Sequence, residues 1–123
     1  MPYKRLPDAE LSVMQAVWAC EPPVARGEIE TILKKSHPMA PTTLLTLLSR
    51  LSEKGYLRIE KEGRSARYIP LVKKEDYLSR QSRRFLDQLC GGSIPAFAAA
   101  LCGGGLTKEE IAELRRLLDE GEL

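Results

Sequence analysis

The chain has 123 residues, of which 43% are hydrophobic and 29% charged, and its formal net charge is +2. This length allows one domain with an appended segment, and no apolar run approaches the roughly 18 residues of a transmembrane helix. The N-terminal sequence has no apolar signal-peptide core, so we expect a cytoplasmic protein without membrane insertion. Three cysteines without CxxC spacing and a single histidine argue against a disulfide framework and a zinc site, and we expect no metal and no cofactor.

Positive charge is unevenly distributed along the chain. Residues 1–72 carry eleven Lys and Arg against eight Asp and Glu, whereas residues 73–123 carry eight against nine. This asymmetry permits nucleic-acid binding by the first part and does not prove it.

Two helices are predicted first. Ala9–Ala19 has a helical apolar pattern, and Asp8 either caps it or adds negative charge to its first turn. Two prolines, Pro22 and Pro23, end this helix. A second helix is predicted over Arg26–Lys35, with Ile29, Ile32 and Leu33 facing inward.

The chain is organised around a third helix, which we predict over Pro41–Lys54. Proline suits the first helical position, and Gly55 suits the left-handed residue after the end. One face is an apolar stripe of Leu44, Leu47, Leu48 and Leu51, and the other carries Thr42, Thr43, Leu45 and Thr46. Hydroxyls and methyls without charge suit the DNA major groove. Alternatively, another element of the protein covers this face.

A β-hairpin is predicted directly after the third helix. Leu57 and Ile59 alternate with charged residues, and the turn is placed at Glu62–Arg64, where Gly63 can take a positive φ. Arg64 at the tip and Arg67 just after it could reach phosphates or enter the minor groove. Alternatively, these are solvated hairpin charges.

Together, three short helices followed by an arginine-bearing hairpin predict a winged helix-turn-helix domain over residues 1–72. The fold class is therefore mainly α with a small β-hairpin. There is no P-loop, nucleophile elbow or metal-ligand spacing, so we expect no enzyme and no catalytic residues.

Residues 73–123 are predicted to form three helices without a core of their own. They span Glu75–Leu89, Ile94–Cys102 capped by Ser93, and a last helix to Glu120 that begins with the capping box of Thr107 and Glu110. Their apolar stripes either fold back on the winged helix or pair with a second chain, and we favour a helical dimerisation domain. The predicted dimerisation residues are Leu78, Phe85, Leu86, Leu89, Phe97, Leu101, Leu114, Leu117 and Leu118.

Two cysteines flank the middle helix of this segment. Oxidation of Cys90 or Cys102 could loosen a dimer, but we favour the interpretation that both are small hydrophobic core residues.

Several short motifs resemble the penicillinase-repressor family, which includes repressors of β-lactamase and methicillin resistance and copper-transport repressors. The matching residues are Asp8-Ala9-Glu10-Leu11 with Trp18, Pro41-Thr42-Thr43, Arg50-Leu51, Lys54-Gly55, Lys61-Glu62-Gly63-Arg64 with Tyr68, and the closing pattern Leu106–Leu114. The resemblance covers nearly the whole chain.

The resemblance implies a dimeric winged-helix repressor that binds a dyad operator in double-stranded DNA. It implies that the third helix reads the major groove and that the wing arginine contacts DNA. The predicted DNA-binding residues are Thr42, Thr43, Leu45, Thr46, Arg50, Arg64 and Arg67.

The resemblance also suggests how repression is relieved. In the antibiotic-responsive relatives, a membrane sensor protease triggers cleavage at a position that aligns with Ala100–Leu101. The local sequence Ala98–Leu101 differs from the Asn-Phe bond of those relatives. The copper-responsive relatives carry CxC motifs that the tail lacks, so we do not expect copper sensing by that route.

One other class of function stays open from the sequence. A winged helix can bind a protein partner instead of DNA, and an uncharged Thr/Leu face would serve that role too. Removal of Arg64 and Arg67 separates the two hypotheses, because it should weaken DNA binding and spare a protein contact.

Overall fold

The computed structural model describes residues 5–121. The chain divides into two compact units: the N-terminal unit extends to Gln81, and the C-terminal unit begins at Ser82.

The N-terminal unit contains three helices, a small sheet and the start of a fourth helix. In chain order these are α1 (Asp8–Trp18), β1 (Val24–Ala25), α2 (Arg26–Ser36), α3 (Pro41–Glu53), β2 (Leu57–Glu62), β3 (Ser65–Pro70) and α4 (Lys74–Arg84). The sheet is antiparallel with the order β1-β3-β2. The predicted winged-helix fold is confirmed, and the helix ends lie within two residues of those expected. The short strand β1 was not predicted.

Helix α1 begins without a side-chain cap. Pro7 occupies the N-cap position, so Asp8 belongs to the first turn. Its negative charge and that of Glu10 interact favourably there with the positive end of the helix dipole. Val13, Met14 and Val17 are fully buried against the other helices. This helix is therefore held mainly by its apolar face.

Helix α3 is defined at both ends by the residues that the sequence indicated. Pro41 opens the helix, and all four leucines of the stripe, Leu44, Leu47, Leu48 and Leu51, are buried. Gly55 follows the C-cap with φ +84, and the N–H of Tyr56 donates to the carbonyl of Leu51 at 2.9 Å. With the bond from the N–H of Gly55 to the carbonyl of Ser52 at 3.1 Å, it forms a Schellman motif that satisfies the last carbonyls.

The hairpin after α3 is the wing. Glu62 pairs with Ser65, which leaves Gly63 and Arg64 as a two-residue turn, and Gly63 has φ +64. The wing base is tied to the helices because β3 also pairs with β1, where Val24 lies opposite Tyr68.

Tyr77 on α4 is part of the core of the N-terminal unit. Its ring packs near those of Trp18 and Tyr56, with centroids 5.7 and 5.9 Å away, and its hydroxyl accepts a hydrogen bond from the N–H of Leu6 at 3.0 Å. The indole N–H of Trp18 donates to the carbonyl of Val72 at 2.9 Å. The start of α4 is therefore anchored to the winged helix.

The C-terminal unit consists of helical segments. A π-helical turn (Phe85–Leu89) continues α4 and is followed by α5 (Ile94–Gly103) and α6 (Lys108–Glu120). The Ser93 cap and the capping box of Thr107 and Glu110 form as expected, and Gly121 follows α6 in the left-handed conformation. The π-helical turn differs from the regular helix predicted to Leu89, because apolar spacing does not distinguish i→i+4 from i→i+5 bonding over so few residues.

No single helix within residues 5–121 is long and apolar enough to cross a membrane. One pair of helices joined by a bend reaches the necessary length and apolar composition when the two are taken together. In the same part of the chain, no group of three His, Cys, Asp or Glu side chains could hold a metal ion.

Candidate nucleic-acid interface

The face of α3 opposite the leucine stripe is exposed. Thr42, Thr43 and Thr46 are all exposed, and Leu45 is 40% exposed. The Thr46 hydroxyl donates to the carbonyl of Thr42 at 3.0 Å, which leaves its methyl group and the oxygen lone pairs toward solvent. The alternative that another element covers this face is therefore wrong for this structure.

A groove of about 660 Å³ lies between α2, α3 and the wing. Leu45 lines it from α3, and Arg26 and Glu30 line it from α2. The wing contributes most of the remaining lining, including Lys61, Arg64 and Arg67. The sheet order brings these elements together, since β1 leads directly into α2 and pairs with β3 of the wing.

The four cations of the groove fall into two kinds. Two of them face carboxylates: Arg67 Nε lies 3.1 Å from Glu62 Oε2, and Arg26 Nε lies 3.6 Å from Glu30 Oε1. Within residues 5–121, Arg64 and Lys61 have no carboxylate within ion-pair distance. The second pair therefore offers unneutralised positive charge beside the exposed face of α3.

Burial and charge have opposite effects on Tyr68, which lines the groove. Its burial raises the pKa of the phenol from 10.0, and the nearby Arg26 guanidinium opposes that shift. The hydroxyl therefore stays protonated at neutral pH and is available as a hydrogen-bond donor.

Of the predicted DNA-binding residues, Leu45, Arg64 and Arg67 line this groove, and Arg26 and Lys61, which were not predicted, line it with them. Arg26 joins the groove through the pairing of β1 with β3, a contact between distant parts of the chain that no local pattern indicates. Arg50 is exposed on α3 but does not line the groove.

Comparison with known proteins agrees with this architecture. The family model of the penicillinase repressor matches residues 6–120. The penicillinase repressor of Bacillus licheniformis is 35% identical over 121 residues, covering 95% of this chain and 94% of that protein. The methicillin resistance regulatory protein MecI of Mammaliicoccus sciuri is 28% identical over 113 residues, covering 91% of each.

The chain belongs to the penicillinase repressor family. It is a winged-helix transcriptional repressor and not an enzyme.

Two solved structures of the repressor BlaI match part of the fold. The DNA binding domain of the repressor BlaI has a TM-score of 0.51 and 37% identity, covering 59% of this chain and 88% of that one. The monomeric form of Bacillus licheniformis BlaI in complex with the blaP half-operator has a TM-score of 0.50 and 36% identity, covering 61% of this chain and 90% of that one.

The predicted dimerisation residues of this family member differ in exposure. Leu89 is 75% exposed and Leu118 is 58% exposed, and Leu78, Phe85, Leu101 and Leu114 are also exposed. Phe97 and Leu117 are half-buried, and the Phe97 ring lies 5.6 Å from that of Phe85. Leu86 is buried within the single chain.

The three cysteines are free thiols. Cys102 is exposed on α5, so its interpretation as a buried core residue is wrong for the single chain, whereas Cys90 is half-buried. The candidate cleavage residues Ala100 and Leu101 are exposed on the same helix. The carbonyl of Ala100 accepts a hydrogen bond from the N–H of Gly104 at 2.9 Å.

Proposed function

We propose that this repressor is a homodimer that binds a dyad operator in double-stranded DNA through the exposed face of α3 and the wing. The observation that carries the proposal is the uncharged, exposed Thr/Leu face of α3 beside a groove with four cations. The solved structure of the relative BlaI in complex with the blaP half-operator supports the DNA-binding part of the proposal.

The chemistry of the α3 face suits base edges in the major groove. An α-helix fits this groove, and its N-terminal residues lie closest to the bases in helix-turn-helix proteins. Thr42 and Thr43 offer hydroxyls to base donors and acceptors, and Thr46 offers its hydroxyl oxygen to base donors. Leu45 offers methyl groups to thymine. We assign base contacts to these four residues and place Arg50, further along the helix, at the phosphates.

The free cations beside α3 suit the DNA backbone. Arg64 lies in the turn of the wing and Lys61 on β2, and neither is held by a carboxylate within residues 5–121. Phosphate contacts of this kind release counterions, so we expect affinity to fall steeply with salt.

The C-terminal unit supports the dimer. It exposes large apolar side chains on every one of its helical segments, with Leu89, Ile94 and Leu118 more than half exposed. A soluble monomer rarely exposes apolar surface on this scale. A second copy would cover it, and two linked winged helices would bind two half-sites with far higher affinity than one.

We also propose that the signal that relieves repression acts on the C-terminal unit, with Ala100–Leu101 as the candidate bond for a partner protease. This bond lies close to the end of α5, just before three consecutive glycines. Glycines favour unwinding of a helix end, and a protease needs the chain in an extended form. Loss of α6 would remove Leu114, Leu117 and Leu118 from the dimer and separate the two half-site contacts.

DNA binding is tested with an operator obtained by selection from random duplexes on the full chain. Arg64→Ala should weaken binding to every duplex and reduce the slope of log K against log salt by about 1. The matched control is Arg116→Ala, which removes an arginine from α6 and should leave binding unchanged. Equal affinity of wild type and Arg64→Ala, with partner proteins still bound, would favour a protein-interaction module.

Dimerisation is tested by sedimentation velocity on the full chain. Leu89→Arg should shift the protein toward monomer and weaken operator binding at least tenfold, because one half-site contact is lost. Ala112→Arg, at an exposed position on α6, adds the same single charge and is the control. A Leu89→Arg variant that stays dimeric and binds fully would overturn this assignment of the interface.

A further inference from the structure

Arg67 pairs with a carboxylate of the wing itself. It lies on β3 opposite Glu60 in the strand register, which makes Glu62 its diagonal neighbour. The Arg67 Nε–H donates to Glu62 Oε2 at 3.1 Å, and no other hydrogen bond engages its side chain within residues 5–121. The Arg67 side chain is 37% exposed.

This hydrogen bond leaves the outer edge of the guanidinium unoccupied. An arginine has five N–H donors, and the bond through Nε uses one and leaves the four on the terminal nitrogens. Those terminal groups form a rigid fork that matches two adjacent acceptors. Because Glu62 already restricts the side chain, less rotamer freedom is lost when the fork binds.

The position of Arg67 brings this fork to the edge of the base-contact surface. Arg67 and Leu45 line the same groove, with Leu45 on the exposed face of α3. An adjacent pair of acceptors on a base edge in the major groove is presented by guanine, through N7 and O6.

We propose that Arg67 reads a guanine at the wing side of the half-site and that Glu62 is the residue that positions it. This inference rests on the proposed function. It assigns different tasks to the two wing arginines: Arg64, without a carboxylate partner, neutralises phosphate, and Arg67, held by Glu62, supplies base specificity.

A base-pair substitution scan of the selected operator tests the assignment, with Kd measured by fluorescence anisotropy on the full chain. The wild type should discriminate against substitution of one G·C pair by roughly tenfold to a hundredfold. Arg67→Lys keeps the charge and removes the fork, so it should lose discrimination at that pair alone and keep the salt slope.

The positioning role of Glu62 is tested in the same scan. Glu62→Ala frees Arg67 to reach phosphates, so it should lose discrimination at the same pair and bind unselected duplexes more tightly, by up to roughly eightfold at 0.1 M salt if one phosphate contact is gained. Glu62→Gln keeps an acceptor and should recover part of the discrimination. The control for lost negative charge is Glu120→Gln. The Glu120 carboxylate pairs with Arg116 at 3.0 Å in the C-terminal unit.

The outcomes separate the inference from the function on which it rests. A wild type without sequence preference would overturn the proposed function. If the wild type has a clear operator, but the Arg67→Lys and Glu62→Ala variants both keep full discrimination at every base pair, the inference is overturned. Uniform loss of affinity in Arg67→Lys would instead mark Arg67 as a backbone contact and overturn it too.

Discussion

Helices α1 and α3 are joined by an ion pair whose removal should be measurable. Lys54 Nζ lies 2.6 Å from Glu10 Oε1, and the Glu10 side chain is only 5% exposed while that of Lys54 is 43% exposed. Lys54 is also the C-cap of α3, where a positive charge is favoured by the helix dipole. We therefore expect Lys54→Met to destabilise the N-terminal unit by leaving Glu10 as a buried charge without its cation.

The size of the loss follows from the exposure of the two partners. Breaking a fully buried pair costs about 3–5 kcal/mol. Water reaches Lys54, so this figure must be discounted toward the value for exposed pairs, below about 1 kcal/mol. We expect Lys54→Met to lower the free energy of unfolding by roughly 2 kcal/mol. The double variant Glu10→Leu/Lys54→Met should recover at least half of that loss.

Urea unfolding followed by circular dichroism at pH 7 measures these differences. The double-mutant cycle should give a coupling energy of about 1–2 kcal/mol between the two positions. Arg83 and Asp87, an exposed i,i+4 pair with a 3.0 Å contact, serve as the control cycle and should give about 0.5 kcal/mol or less. Additive losses at Glu10 and Lys54 would refute the reasoning.

Three further predictions concern the N-terminal unit. Tyr77→Phe should lower the free energy of unfolding by about 1–2 kcal/mol in urea titrations, because it leaves the buried N–H of Leu6 without its acceptor. Burial, with a smaller contribution from Glu28, raises the pKa of the Cys20 thiol from 9.0. The folded state therefore keeps this proton to a higher pH than the unfolded state, so the free energy of unfolding should fall as pH rises above about 9. Urea unfolding between pH 7 and 11 measures this dependence, and Cys20→Ser should flatten it. Gly63→Val should cost about 1–2 kcal/mol in thermal unfolding, because its φ of +64 is strained for a β-branched residue, and it should weaken operator binding through the wing.

Local signals were sufficient to predict the elements that carry the interface. Pro41 and Gly55 mark the ends of α3, and Gly63 marks the turn of the wing, since each signal depends on backbone conformation within one or two residues. The exposure of the Thr/Leu face then follows from burial of the leucine stripe on the opposite side of the same helix.

Contacts between distant residues could not be predicted in this way. Strand β1 has only two residues, which is too short for an alternating pattern, and it is stabilised by pairing with β3. Likewise, nothing near Glu10 in the chain indicated that Lys54 would lie beside it. Tyr77 was absent from the predicted apolar stripe because its partners lie on α1 and after α3.

The central claim is that this family member recognises a specific DNA sequence through α3 and the wing. Its most direct test is an anisotropy titration of the full chain against its selected operator and against a scrambled duplex of the same composition, at two salt concentrations. We expect the operator to bind at least 10³-fold more tightly, with both affinities falling as salt rises. Equal affinity for the two duplexes would contradict the claim.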